Sequence, residues 1–153
     1  MRIPLGVWKL GKEILRHLLR RPVVGVCVVA RSADDRVLLV RRADTGLWAL
    51  PGGTLEWGET LRDAVPRELR EEAGAELTSV GFLLGVYSDP ERDPRFHAVT
   101  VVVAATVDEP RGPDNPVEIL EARLFPFEEI PSELSHGTRD MLENAWSNRV
   151  VWE

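Results

Sequence analysis

The feature that most constrains this chain is the segment PGGTLEWGETLRDAVPRELREEAG, residues 51–74, in which glycines flank a cluster of acidic residues. Five glutamates lie within it, at positions 56, 59, 68, 71 and 72. Like charges one helical turn apart destabilise even an exposed helix by about 0.2–0.5 kcal/mol. Partial burial makes the repulsion more costly or leads the carboxyls to take up protons. A segment of this kind therefore needs a partner that compensates its charge.

Local signals place most of these acids on a helix. Thr60 is a favourable N-cap with Asp63 three residues later, and Gly74 is a favourable C-terminal stop. These signals predict a helix over residues 61–73. Pro66 lies inside that helix and removes one backbone hydrogen bond, so we expect a kink or irregular first turns.

The helical geometry brings the acids towards the apolar side. Successive helical residues are about 100° apart, which places Glu72 about 40° to one side of Glu68 and Glu71 about 60° to the other. The apolar residues of the helix occupy the same arc: Leu61, Val65 and Leu69. A purely solvated acidic face fits this arrangement poorly. A hard divalent cation with oxygen ligands, Mg²⁺ or Mn²⁺, would compensate the charge directly.

The composition narrows the classes of function. A chain of 153 residues, 44% hydrophobic and 29% charged, is typical of one soluble domain with a sizeable core. The net charge of −6 argues against a nucleic-acid partner. No apolar run reaches the roughly 18 residues of a membrane span. The single cysteine, Cys27, suits a reducing cytoplasm, and its apolar surroundings predict a buried side chain rather than a nucleophile.

The first 21 residues differ from the rest. They are basic and amphipathic, and they lack the uninterrupted apolar region and cleavage site of a signal peptide. We expect residues 1–21 to form an N-terminal helix or extension that packs on the domain or on a partner subunit, with a membrane-surface helix as the alternative. Residues 22–153 are expected to form the main domain.

The pattern of strands indicates the fold class. Strands are predicted over residues 22–31, 36–42, 47–53, 81–88, 96–107 and 121–130, and a last amphipathic helix over 132–148. Strands outnumber helices and no regular strand–helix–strand alternation is present. An α+β fold with a mixed β-sheet is therefore expected.

The acidic segment resembles the Nudix box, G-x5-E-x7-R-E-U-x-E-E-x-G-U, where U is a bulky aliphatic residue. Every fixed position is matched from Gly53 to Gly74, and the final aliphatic position holds the small Ala75. The flanking segments RVLLVRR, WALPGG and EARLFPFEEIP agree, so the resemblance extends over about residues 22–131. It implies an α/β/α sandwich around a central mixed sheet. It also implies an enzyme that hydrolyses a nucleoside diphosphate linked to a further group X.

The resemblance implies a metal site in the box. Glu68 and Glu72 are similar to the principal metal ligands of the family, helped by the carbonyl of Gly53, and Glu71 is similar to a ligand or the base. The expected ion is Mg²⁺, with Mn²⁺ as an alternative. Such an ion would neutralise phosphate charge and lower the pKa of the attacking water.

The resemblance leaves the general base open. Glu71 and Glu118 are equal candidates for the catalytic base, and Glu56 is the next. Glu59 and Arg67 are expected to have structural roles. Arg67 is the natural partner for Glu59, and their contact would tie the loop to the helix.

The substrate has to be sought outside the box. The segment YSDPERDPR, residues 87–95, resembles a motif of small ADP-ribose pyrophosphatases within the family. Arg92 and Arg95 lie on this proline-stiffened loop and are candidates to bind a phosphate of the substrate. A self-paired surface turn is the alternative. Trp48 is a candidate to stack on a base, with a place in the core as its alternative.

These observations predict a cytoplasmic Mg²⁺-dependent Nudix pyrophosphohydrolase that acts on ADP-ribose or a related nucleoside diphosphate sugar. A second enzymatic possibility is a (d)NTP pyrophosphohydrolase that cleanses the nucleotide pool. A possibility from another class is a non-catalytic Nudix-fold regulator that binds nucleotides, which the intact set of carboxylates disfavours. The expected partner is a small-molecule nucleotide, with no nucleic acid, and a homodimer is left open.

Overall fold

The structure is a computed structural model, and it describes residues 21–135 and 137–153. The N-terminal helix expected over residues 1–21 lies outside the described residues apart from Arg21. Within the described part of the chain, no helix has the length and apolar character needed to cross a membrane.

The described chain forms eight strands and two α-helices. The strands are β1 (Val23–Arg31), β2 (Val37–Arg42), β3 (Trp48–Ala49), β4 (Gly52–Thr54), β5 (Leu77–Tyr87), β6 (Ala98–Val107), β7 (Ile119–Phe125) and β8 (Val151–Trp152). The helices are α1 (Leu61–Ala73), between β4 and β5, and α2 (Thr138–Trp146), between β7 and β8. A short 3₁₀ helix spans Phe127–Glu129.

The strands join into one mixed sheet in the order β3-β2-β1-β6-β5-β8. The central pair β1 and β6 is parallel over nine residues, whereas β5 and β6 are antiparallel. Strand β4 pairs with β1, and β7 pairs with β2, both antiparallel. The expected mixed sheet of an α+β fold is confirmed.

Each face of the sheet carries a hydrophobic core and a helix. Helix α1 contributes Ala64, Val65, Leu69 and Ala73 to one core. Helix α2 contributes Met141, Leu142 and Ala145 to the other. Alternate residues of β1 and β2 enter the two cores, since side chains of a strand point to opposite faces in turn. The result is the α/β/α sandwich expected from the sequence.

Helix α1 begins and ends where the capping signals predicted. Thr60 adopts extended backbone angles and accepts a hydrogen bond from the backbone N–H of Asp63. Gly74 has a φ of 60°, and its N–H donates to the carbonyl of Arg70 at 2.8 Å. The helix continues through Pro66 as one segment, Leu61–Ala73, so the expected irregular first turns are not observed.

Candidate active site

The glycines before helix α1 let the chain approach both β1 and the helix. Strand β4 pairs Gly53 with Val26, which holds the glycine turn against the sheet. A Cβ atom at Gly53 would lie 2.9 Å from the carboxyl carbon of Glu68. A Cβ atom at Gly52 would lie 2.8 Å from the Cα of Cys27. Only glycine fits at these two positions without displacing a neighbour.

Arg67 is the centre of a charged network on helix α1. Its Nε and Nη2 donate to the two carboxylate oxygens of Glu59, at 2.7 and 2.8 Å. Its Nη1 donates to Glu68 at 2.9 Å and to Glu71 at 3.2 Å, and its Nη2 also reaches the carbonyl of Thr54. The contact between Arg67 and Glu59 expected from the sequence is therefore present. It fixes the loop before the helix to the helix itself.

The two inward-facing glutamates of α1 are held in surroundings that disfavour their charge. Glu68 is only 6% exposed, and burial raises the pKa of its carboxyl while the adjacent Arg67 lowers it. Burial raises the pKa of Glu72 to about 7. The hydrogen bond that Glu72 accepts from the N–H of Gly52, at 2.8 Å, opposes this rise. The charges of Glu68 and Glu118 raise the pKa of Glu72 further. A cation bound beside them would favour the charged form of both carboxyls.

The donor set of this site suits a hard divalent cation. Glu68 and Glu72 supply carboxylate oxygens on the inner face of α1, and Gly53 adds a backbone carbonyl on the adjacent strand. In the described part of the chain, no three His, Cys, Asp or Glu side chains are gathered around one point as they stand. Glu68 is turned to Arg67 and Glu72 to Gly52. Binding of an ion would therefore exchange these hydrogen bonds for coordination.

The two candidate bases lie on different elements of the chain. Glu71 is about half exposed and contacts Arg67, and its backbone carbonyl accepts from the N–H of Asp114. Glu118 is exposed just before β7, and its carbonyl accepts from Ala43 at 2.8 Å. The structure thus brings Glu118, distant in sequence, within electrostatic reach of Glu72.

A cavity of about 420 Å³ lies beside the glycine turn. Gly52 lines it, and so do Arg92 and Arg95 of the later loop. Its apolar wall contains Leu47, Ala49, Leu50, Tyr87 and Met141. The hydroxyl-bearing residues that line it are Thr45, Thr100, Ser135 and Thr138. This combination of apolar wall, hydroxyls and arginines is typical of a site for a small polar ligand.

Two of the arginines at this cavity share one aspartate. Arg42, at the end of β2, makes two hydrogen bonds to Asp44, at 3.0 and 2.8 Å. Arg95 contacts the same Asp44 at 3.6 Å and makes two shorter bonds to Asp93. Arg42 could not be identified as a cavity residue from the sequence, because no local pattern indicates which residues a charged side chain at the end of a strand will contact. It lines the same cavity as Gly52.

Arg92 is held differently from Arg95. Its guanidinium lies 4.7 Å from the ring centre of Tyr87 and contacts Asp140 of helix α2 at 3.4 Å. Its main partner is Glu153, which binds Nε and Nη2. No local sequence pattern indicates this pairing of residues 61 positions apart.

Trp48 belongs to the core. It is 9% exposed, its ring meets that of Phe125 edge to face at 4.9 Å, and it is absent from the lining of the cavity. We therefore assign it to the core rather than to the substrate. Cys27 does line the cavity, but burial, followed by the charges of Glu72 and Glu68, raises its thiol pKa to about 12. The thiol stays protonated, as expected for a residue that is not a nucleophile.

Comparisons with known proteins agree with this architecture. Residues 20–145 match the family model of the NUDIX domain. The chain is 41% identical over 120 residues to an ADP-ribose pyrophosphatase of Methanocaldococcus jannaschii, covering 75% of this chain and 68% of that protein. The chain spans 44% and 48% of the lengths of two further curated relatives.

Two solved structures extend the comparison. A MutT NUDIX hydrolase from Burkholderia pseudomallei superimposes with a TM-score of 0.70 and 33% identity, covering 82% of this chain and 98% of that one. The NUDIX domain of Shewanella oneidensis NrtR, crystallised with ADP ribose, superimposes with a TM-score of 0.76 over 90% of this chain and 97% of that one. Its identity of 23% supports the shared fold alone.

Proposed function

The chain belongs to the NUDIX domain family of pyrophosphohydrolases, and we propose that its substrate is ADP-ribose or a related nucleoside diphosphate sugar. The observation that carries this proposal is the cavity that joins the glycine turn of the box to the arginine loop of residues 92–95. A pyrophosphate bound at the carboxylates of α1 would extend a terminal group into that cavity. The 41% identity to an ADP-ribose pyrophosphatase points to the same substrate class.

In this proposal the carboxylates of Glu68 and Glu72, with the carbonyl of Gly53 and support from Glu71, hold Mg²⁺ or Mn²⁺. The chemistry that such an ion supplies is neutralisation of the phosphate charge and acidification of the attacking water. Arg67 and the N–H of Gly52 hold the carboxylates of Glu68 and Glu72 beside the site until an ion replaces these hydrogen bonds. Glu59 acts on the site mainly by holding Arg67.

The reaction consists of the attack of water on one phosphorus of the pyrophosphate. A P–O bond forms, the bridging P–O bond breaks, and the proton of the water passes to a carboxylate. Glu71 and Glu118 are the two proposed acceptors, since both lie beside the carboxylate pair and neither is buried. ADP-ribose would give AMP and ribose 5-phosphate.

The remaining parts of the proposal concern the whole chain. We assign residues 22–153 to the hydrolase domain and residues 1–21 to an N-terminal extension. A single free cysteine, Cys27, suits a reducing environment, and this supports a cytoplasmic location. A homodimer stays a prediction.

The test of this proposal is a substrate screen in which the products are separated by anion-exchange chromatography. ADP-ribose, nucleotide sugars, dinucleoside polyphosphates and NTPs would be compared with Mg²⁺ and with EDTA. We expect Mg²⁺-dependent hydrolysis, greatest for ADP-ribose or a nucleotide sugar. Absence of hydrolysis of every compound would favour a non-catalytic nucleotide-binding role.

A second candidate is hydrolysis of (d)NTPs. The 36% identity over 73 residues to a protein of Bacillus subtilis described as a putative 8-oxo-dGTP diphosphatase favours it. The carboxylates of α1 would serve both reactions, whereas the arginine loop would serve only a substrate with a second sugar phosphate. The two candidates therefore differ in their dependence on Arg95.

A further inference from the structure

Glu153 joins two distant parts of the chain at the wall of the cavity. Strand β8 pairs in parallel with the end of β5, through Gly85 with Val151 and Val86 with Trp152. The N–H of Glu153 then donates to the carbonyl of Val86 at 3.2 Å. This pairing carries the side chain of Glu153 under the turn that follows β5.

The carboxylate of Glu153 accepts hydrogen bonds from both the backbone and the side chain of that turn. Its Oε2 accepts from the N–H of Ser88 at 3.1 Å, the N–H of Asp89 at 3.2 Å and the Nε of Arg92 at 2.9 Å. Its Oε1 accepts from the Nε of Arg92 at 3.1 Å and also contacts Nη2. The main-chain oxygen of Glu153 accepts from the hydroxyl of Ser88 at 3.0 Å.

The contact is partly shielded from solvent. The side chains of Arg92 and Glu153 are only 26% and 25% exposed, and the ring of Tyr87 covers the guanidinium. Charge-assisted hydrogen bonds in such a setting are stronger than exposed ion pairs. Asp140 contributes less, because its side chain is 61% exposed and its contact with Arg92 is longer, at 3.4 Å.

The turn that Glu153 holds begins the loop at the cavity. Arg92, Asp93, Pro94 and Arg95 all line the cavity, and the N–H of Arg92 closes the turn on the carbonyl of Asp89. Because both edges of the Arg92 guanidinium bind carboxylates, its charge is largely neutralised. Arg95, with a side chain 57% exposed, is better placed to meet a ligand.

We propose that Glu153 is a positioning residue for the substrate, which fixes Arg92 and the turn of residues 88–92 and thereby sets the position of Arg95. This inference rests on the proposed function, since it concerns the loop that would contact the sugar phosphate. A residue that positions a binding loop changes substrate affinity, whereas the carboxylates of α1 carry turnover. We therefore expect loss of the Glu153 carboxylate to raise KM.

The kinetic test compares Glu153→Ala and Glu153→Gln with Glu91→Gln in the full chain. Glu91 lies on the same turn and is exposed, so its variant matches the change of charge without the contact. With ADP-ribose as substrate, we expect Glu153→Ala to raise KM by about tenfold, with kcat within about twofold of wild type. Glu91→Gln should change neither. An unchanged KM in Glu153→Ala, or an equal rise in Glu91→Gln, would overturn the proposal.

The double variant Glu153→Ala with Arg92→Ala separates positioning from general destabilisation. If Glu153 acts through Arg92, its removal adds little to KM once Arg92 is absent. A full, independent rise in KM in the double variant would overturn the proposal. Glu153→Gln serves if the alanine variant does not fold, because its amide oxygen can still accept from the N–H groups of Ser88 and Asp89 while Arg92 loses its main charged partner and keeps only the longer contact with Asp140.

A measurement without substrate distinguishes failure of this inference from failure of the proposed function. Hydrogen exchange followed by NMR reports on the N–H groups of Ser88 and Asp89 and on the Nε–H of Arg92. We expect slow exchange at Arg92 in wild type and in Glu91→Gln, and at least tenfold faster exchange in both Glu153 variants. Equal exchange in all four proteins would overturn the positioning role, whichever nucleotide the enzyme cleaves.

Discussion

Gly53 lies against the carboxylate of Glu68, so closely that a methyl group on the glycine would displace it. We therefore expect Gly53→Ala to lower kcat/KM by about tenfold or more while the fold persists, because the end of a glutamate side chain can move aside. Gly52→Ala is the contrast. Its methyl group would meet the backbone at Val26 and Cys27, which cannot move aside, so the melting temperature should fall.

The measurement compares melting curves and steady-state kinetics for the two variants. Full activity in Gly53→Ala would show that the position of Glu68 does not matter for catalysis. An unchanged melting temperature in Gly52→Ala would show that the backbone approach to β1 is looser than described.

Glu72 makes the stability of the metal-free protein depend on pH. Burial raises its pKa in the folded state to about 7 from 4.5, so the folded protein holds this proton more tightly than the unfolded chain does. The stabilisation is complete below about pH 4.5 and is lost as the pH rises through 7. We expect wild type in EDTA to lose about 1–3 kcal/mol of unfolding free energy from this group between pH 5 and pH 8.

Glu72→Gln should remove this pH dependence, because the amide side chain does not titrate. Its oxygen can still accept the hydrogen bond from the N–H of Gly52. Urea midpoints at several pH values, with Glu71→Gln as the half-exposed control, provide the measurement. Mg²⁺ with a non-hydrolysable substrate analogue should restore stability to wild type at pH 8 but not to Glu72→Gln. A wild type whose stability is flat with pH in EDTA, or that gains nothing from the metal and analogue, would contradict the described site.

Pro66 removes one hydrogen bond from helix α1, because proline has no N–H to donate to the carbonyl of Arg62. We expect Pro66→Ala to raise the free energy of unfolding by about 1 kcal/mol, since the backbone is already helical at this position. Pro113→Ala, in a loop, should give no such gain. A lower denaturant midpoint for Pro66→Ala would show that the proline shapes the start of the helix.

Much of the box could be predicted because its signals are local. Thr60 and Gly74 set the ends of α1, and the periodicity of its glutamates indicated an inward acidic face. The partners of the cavity loop could not be predicted in the same way. Arg92 meets Glu153 only because β8 pairs with β5, and a strand of two residues has no recognisable sequence pattern. Trp48 illustrates a third case, since core and ligand-stacking positions demand the same aromatic residue.

The two arginines of the cavity loop should respond differently to substitution. Losing one charge-assisted contact costs about 1.5–3 kcal/mol, which is roughly ten- to a hundredfold in kcat/KM. We expect Arg95→Ala to lower kcat/KM for ADP-ribose by about this factor without lowering the melting temperature. Arg92→Ala should lower both, because it also releases Glu153 and Asp140.

Hydrolysis of dGTP is the internal comparison for these variants, since it does not need a pocket for a second sugar phosphate. Its kcat/KM should change much less than that for ADP-ribose. Arg111→Ala, whose side chain is exposed outside the cavity, is the matched control and should behave as wild type. Equal losses of kcat/KM for both substrates in the Arg92 and Arg95 variants would show that the loop has only a structural role.

The central claim is that this chain cleaves a nucleoside diphosphate sugar with the carboxylates of α1. The most direct test measures kcat/KM for ADP-ribose and for dGTP in Mg²⁺, with the products identified by ³¹P NMR, for wild type and Glu72→Gln. We predict that wild type prefers ADP-ribose and yields AMP and ribose 5-phosphate, and that Glu72→Gln remains folded but loses most of this activity. Release of pyrophosphate from dGTP with the higher kcat/KM, or full activity in Glu72→Gln, would contradict the account.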